Sequence, residues 1–210
     1  MHRNTITETV EALSGNGFKA YSVPDAAEAR ELILCELLPD IAPGVVSFGD
    51  SMTLTATGVL DALRTDPSLT FIDTFEPGVD RAEILQRRRR ALLADLFLTG
   101  TNAVTKSGKL VNLDMVGNRV GGIVFGPEHV IITVSANKIV DDEAAAARRI
   151  REIAAPQNAA RHHAKTPCAK TGRCADCKSP DRICNVWTIT EKSWPKGRIK
   201  VVLIDQPLGL

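Results

Sequence analysis

Hydrophobic positions along the chain change period several times, and each change marks an element. Residues 4–13 and 25–38 carry apolar side chains at helical spacing, among them Ala27, Leu32, Ile33, Leu34, Leu37 and Leu38, with Pro39 as a stop. Two helices are expected first, over residues 1–40. After Pro43-Gly44 the run VVSF is short, apolar and β-branched; it ends in Gly49-Asp50-Ser51 and passes into an amphipathic stretch over 52–63. That is strand, tight turn, helix. The order repeats, with strands predicted at 69–73, 95–98 and 129–134 and helices at 81–93 and 141–154. Strands alternating with helices imply a mostly parallel sheet covered on both faces, an α/β class with a Rossmann-like core over residues 41–155.

Between residues 99 and 126 the rhythm breaks, and Ser107-Gly108 separates two alternating runs as a hairpin turn does. An antiparallel excursion from the sheet is expected there. From 156 to 185 the chain loses periodicity and gains Lys, Arg, His and Cys, after which 186–190 and 199–205 return as strand-like runs within a closing segment, 186–210. The Cys-rich stretch is therefore an insertion before the final strands, and the whole chain reads as a single domain.

Composition narrows the function classes. With 210 residues, 44% of them hydrophobic, the chain buries roughly 70% of its unfolded surface, so folding needs neither disulfides nor metal. A net charge of +1 supplies no global field for nucleic acid. The opening residues lack the apolar core of a signal peptide, and no run approaches the roughly 20 residues of a membrane span, so a cytoplasmic protein is expected.

Three loops follow predicted strands: Gly49-Asp50-Ser51, Gly100-Thr101-Asn102 and the Asn137-Lys138 turn. In an open parallel sheet such loops share the carboxyl edge, where ligands bind. Gly49 to Thr53 suits a phosphate or carboxylate at a helix amino terminus, although a single Gly turn is a weak signal and Ser51 reads first as a plain helix cap. Asn112, Asp114, Asn118 and Arg119 add hydrogen-bonding groups; turn chemistry explains some of them, and the rest either bind a polar ligand or form a structural ion pair. In the ligand reading, Arg119 and Lys138 meet the charge of an anionic small molecule or a nucleotide-like ligand. No dinucleotide-binding glycine fingerprint is present.

Four of the five cysteines form C-x5-C-x2-C-x6-C: Cys168, Cys174, Cys177 and Cys184. Clustered thiols in a reducing compartment favour a metal over disulfides, and all-sulfur ligation suits either zinc or an iron–sulfur cluster. Unmetallated thiols, or disulfides in any of three pairings, are the remaining reading. His162 and His163 precede the cluster and are either a ligand source or solvated residues. Cys35, among leucines, reads as a buried core residue; the run Arg87 to Arg90 reads as a solvated helix with a salt bridge or two, since four consecutive residues point around the whole helix. Trp187 and Trp194 either pack or cover a partner surface.

The stretches TGTNAVTKSGKLVNLDMVGNRV, FGPEHVIITVSANKIV and AAPQNAARHHAKTPCAKTGRCADCKSPDRICN resemble the LUD domain family, the lactate utilisation proteins of the LutC and YkgG type, from VVSFGDSMT to the closing LIDQPLGL. The resemblance implies a fold like that of the NagB, RpiA and CoA-transferase group. It also implies a subunit or accessory role in oxidising lactate or a related hydroxy acid beside iron–sulfur partner subunits, a homo-oligomer remaining open. Two other classes stay in view: a zinc-stabilised binding or regulatory module, and an acyl- or CoA-transfer enzyme for which Glu76, in a post-strand loop, is the candidate glutamate.

Overall fold

The structure is a computed structural model that describes residues 2–210, with side chains from Asn4 onward. Ten strands run in chain order: β1 (Lys19–Val23), β2 (Val45–Phe48), β3 (Thr70–Ile72), β4 (Leu96–Gly100), β5 (Ala103–Thr105), β6 (Leu110–Asp114), β7 (His129–Ser135), β8 (Ile139–Val140), β9 (Val186–Thr190) and β10 (Ile199–Ile204). Six of them form an all-parallel sheet in the order β1-β10-β7-β4-β2-β3. A second sheet, β8-β5-β6-β9, contains the expected hairpin.

Central strands read as continuous hydrophobic runs because both their faces are covered. On β10, Val202 and Ile204 pack with Ile33, Leu37, Leu54 and Leu60 from helices on one face. The alternate residues Ile199, Val201 and Leu203 pack on the other face with Ile6 and Leu13 of the first helix and with Ile123. A third cluster seats Val111 and Leu113 of the second sheet against Ala146 and Ile150.

The hairpin turn falls where expected. Gly108 takes φ of 78°, and a Cβ there would lie 2.6 Å from the backbone of Ala12. The turn is clasped to the first helix by Asn16 Nδ2, which donates to the carbonyls of Ser107 and Gly108.

Several local expectations are corrected. The N-terminal pair of helices encloses a strand, β1, which lies at the sheet edge and carries too little apolar alternation to be recognised. Pro39 does not stop its helix: a wider π-turn over Leu32–Leu37 precedes it, and the helix continues to Ile41. The stretch 52–63 is two helices, Met52–Ala56 and Val59–Thr65, broken at Gly58 with φ of 68°. At the other end, the helix begun at Glu143 runs on through Arg161, and of the two closing strands only β10 joins the parallel sheet.

Candidate functional site

The adjacent strands β2, β4 and β7 deliver their following loops to one edge, as a parallel sheet requires. A cavity of about 420 Å³ opens there. Nine of the thirteen expected ligand residues line it: Asp50, Ser51, Gly100, Thr101, Asn102, Asp114, Asn118, Arg119 and Lys138. Gly49, Thr53, Asn112 and Asn137 stand behind the wall and shape it. A Cβ on Gly49 would meet Arg119 Cγ and Thr99 Oγ1 at 2.9 Å, so this glycine makes room for Arg119. Asn137 Oδ1 accepts from Ser135 Oγ at 2.5 Å, and its carbonyl accepts from Arg149 at 3.3 Å.

Ser51 combines its two readings. Its Oγ caps the following helix, accepting from Leu54 N at 3.2 Å, and its side chain also faces the cavity. Gly100 lies against it: a Cβ there would sit 2.3 Å from Ser51 Oγ.

Arg119 is the clamp of the site. It is 8% exposed, and its two terminal nitrogens make four hydrogen bonds: Nη1 to Gly100 O and Asn112 Oδ1, Nη2 to Asn102 Oδ1 and Leu113 O, at 2.7 to 3.0 Å. Asp114 lies 3.7 Å from its Nε and accepts from the backbone N–H groups of Gly117 and Arg119. One side chain thus ties the loop after β4 to β6 and to the helix Asn118–Val124. With those donors committed inside the protein, Arg119 sets the shape of the wall instead of reaching for a ligand.

Lys138 differs. It is 5% exposed, lines the cavity, and donates to Thr53 Oγ1 at 2.9 Å. Among the described residues no carboxylate pairs with it. Burial, then the positive charges of Arg149 and Arg119, push its pKa down to about 7.

A second cation is one that the residue pattern does not single out. Within the run Arg87 to Arg90, Arg87 and Arg90 bind Glu83, and Arg87 also binds Glu76. Arg88 instead turns into the cavity, its guanidinium 5.0 Å from the centre of the Phe75 ring, and its buried Nε has no hydrogen-bond partner. The radial spread that argues against a basic face is what sends one arginine inward. Glu76 is held by Arg87 and is not among the residues lining the cavity.

The far wall comes from the segment that precedes the cysteines. Asp50 accepts from His162 Nε2 at 3.0 Å and from Arg161 Nη2. Burial raises the Asp50 carboxyl, but the His162 and Arg161 hydrogen bonds outweigh it, so the group lies below its ordinary pKa. His162, His163, Ala164, Asp181 and Ile183 complete the wall, which makes the Cys-rich insertion part of the cavity's boundary.

Cys168, Cys177 and Cys184 are half-buried and Cys174 is exposed, all as free thiols. Cys184 packs on the cluster of Ala103, Val111 and Ile150; burial pushes its thiol up against the opposing charge of Arg182, and the neighbouring Cys174, Cys177 and Cys168 add to the rise. The four are neighbours. Among the described residues no group of three His, Cys, Asp or Glu side chains is drawn together to hold a metal ion. Cys35 is exposed, on the helix face opposite Ala29, Ile33 and Leu37. Trp194 is 86% exposed, and Trp187 is 39% exposed, with Arg151 stacked over its ring.

No described helix is long and apolar enough to cross a membrane. No curated protein matches the chain. A DUF162 family protein from Deinococcus radiodurans has a similar structure, with a TM-score of 0.55 and 16% identity over 98% of this chain and 99% of that one, a likeness of fold. The LUD domain matches residues 6–204, nearly the whole length. By that match the chain belongs to the LUD domain family.

Proposed function

We propose that this LUD-domain chain holds a small anionic hydroxy or oxo acid in the cavity and serves as a subunit or accessory of a lactate or related hydroxy-acid oxidation system. One observation carries the ligand class: Arg88 and Lys138 both line the cavity, and neither has an ion-pair partner among the described residues. A buried lysine and a half-buried arginine whose Nε is cut off from water ordinarily take a partner, so a carboxylate ligand is the group that completes this site. The volume exceeds that of a three-carbon acid, so longer hydroxy and oxo acids belong to the class as well. Lactate and pyruvate are the first members to test because of the resemblance to lactate utilisation proteins.

The test is ligand-observed NMR with lactate, pyruvate, coenzyme A and nucleotides against the whole chain. Saturable signals from the small acids alone support the reading. Signals from coenzyme A or nucleotides, with none from the acids, overturn it.

The Cys-rich loop is the proposed contact with an iron–sulfur partner. Its thiols are a soft donor set that would take zinc or an iron–sulfur cluster only after the loop draws them together. Metal and acid-labile sulfide analysis of protein purified without oxygen separates these outcomes. Stoichiometric zinc supports the alternative of a metal-stabilised binding module.

A further inference from the structure

We infer that Lys138 is a nucleophilic amine, placed to form a Schiff base with the carbonyl carbon of a 2-oxo acid bound in the cavity. This inference rests on the proposed ligand class and adds a covalent step to it.

The geometry isolates the amine. Thr53 Oγ1 gives its own hydrogen to Leu208 O at 3.2 Å, so it receives one from Lys138 at 2.9 Å. That single bond fixes Nζ while leaving the lone pair of the neutral amine uncommitted. Backbone closes over the other side: a Cβ on Gly209 would lie 3.2 Å from Nζ and 2.7 Å from Thr53 Oγ1. Burial opposes protonation most, and the positive charges of Arg149 and Arg119 add to it; at a pKa of about 7 roughly half the amine is free base at neutral pH. Desolvation beside other cations is the usual way a lysine becomes a nucleophile.

The rest of the cavity supplies what the step needs. Arg88, with its unpartnered Nε, takes the carboxylate, which leaves the adjacent carbonyl for Lys138. The amine lone pair forms the C–N bond as the carbonyl π bond opens to a carbinolamine. Both amine hydrogens then leave with the carbonyl oxygen as water, and C=N forms; no electrons enter or leave the system. His162, held by Asp50 at 3.0 Å, lines the same cavity as Lys138.

The experiment incubates the whole chain with pyruvate, and separately with glyoxylate, in the presence of cyanoborohydride, followed by intact mass and peptide mapping. One reduced adduct per chain is expected, on Lys138, forming on the order of a hundredfold faster at neutral pH than on an exposed lysine, because its free-base fraction is far larger. Lys138→Arg, which keeps the charge, should lose the adduct; should that variant not fold, the wild-type peptide map decides alone. Adducts spread evenly over surface lysines, or none on Lys138, overturn the inference. If pyruvate binds saturably but leaves Lys138 unmodified, the Schiff base is refuted and the ligand class stands. If neither acid binds, both fall.

Discussion

Replacing Lys138 with methionine should stabilise the protein, and by an amount that depends on pH. The buried amine has an ordinary pKa of 10.5 and a folded-state value of about 7. Between those values the unfolded chain binds more protons than the folded one, so stability rises with pH through that window. Below it, both states are protonated and the folded state bears the whole cost of a buried, unpaired cation; above it, both are neutral and the cost vanishes. Every tenfold loss of proton affinity on folding is worth about 1.4 kcal/mol, so the penalty is about 5 kcal/mol at about pH 6 and about 2 kcal/mol at about pH 9. Methionine keeps the apolar stem and gives up one hydrogen bond to Thr53, a loss of about 1 kcal/mol. Urea unfolding of wild type and Lys138→Met across this range isolates the effect, since every other titrating group is common to both. The variant's advantage should shrink by roughly 3 kcal/mol from the acid to the alkaline end. Parallel curves would refute the claim that Lys138 is buried without a counter-ion.

Four further outcomes follow from the same contacts. Arg119→Met removes four hydrogen bonds and the ion pair of the half-buried Asp114, and should cost roughly 3–5 kcal/mol in urea unfolding. Gly100→Ala drives a Cβ into Ser51 Oγ; rotating that hydroxyl away loses the helix cap, about 1 kcal/mol, and acid binding should weaken with it. Gly108→Ala forces a left-handed turn residue against the first helix and should lower stability by roughly 1–3 kcal/mol, read from the urea midpoint. Asp50→Asn removes a carboxylate whose pKa lies below its ordinary value; its contribution is present above the unfolded carboxyl pKa and is lost as pH falls through the folded one, so the variant's acid-unfolding curve should be flatter.

The parallel core and the hairpin are legible in the sequence because both obey short-range rules. VVSF, the run 95–98 and the run 129–134 are apolar on both faces, and Ser107-Gly108 is turn chemistry. The strand β1 is not legible, since at the sheet edge none of its residues is buried and its sequence resembles any half-exposed segment. The loops after β2, β4 and β7 are readable as one site because strand direction alone brings them together. What tertiary packing decides is hidden from the sequence. Arg161 reaches Asp50 across 111 positions, and Arg88 turns inward by its place on a short helix. Arg119 shows the converse: its residue type suggests ligand binding, and only the carbonyls and amides around it reveal a clamp.

The central claim is that two cavity cations without an ion-pair partner among the described residues await a small carboxylate. Calorimetric titration of pyruvate and of lactate into the wild-type chain and into Arg88→Gln tests it most directly. The account predicts one saturable site per chain and at least about tenfold weaker binding in the variant, the value of a lost charge-assisted hydrogen bond. Equal affinity in both proteins, or no saturable heat from either acid, would contradict it.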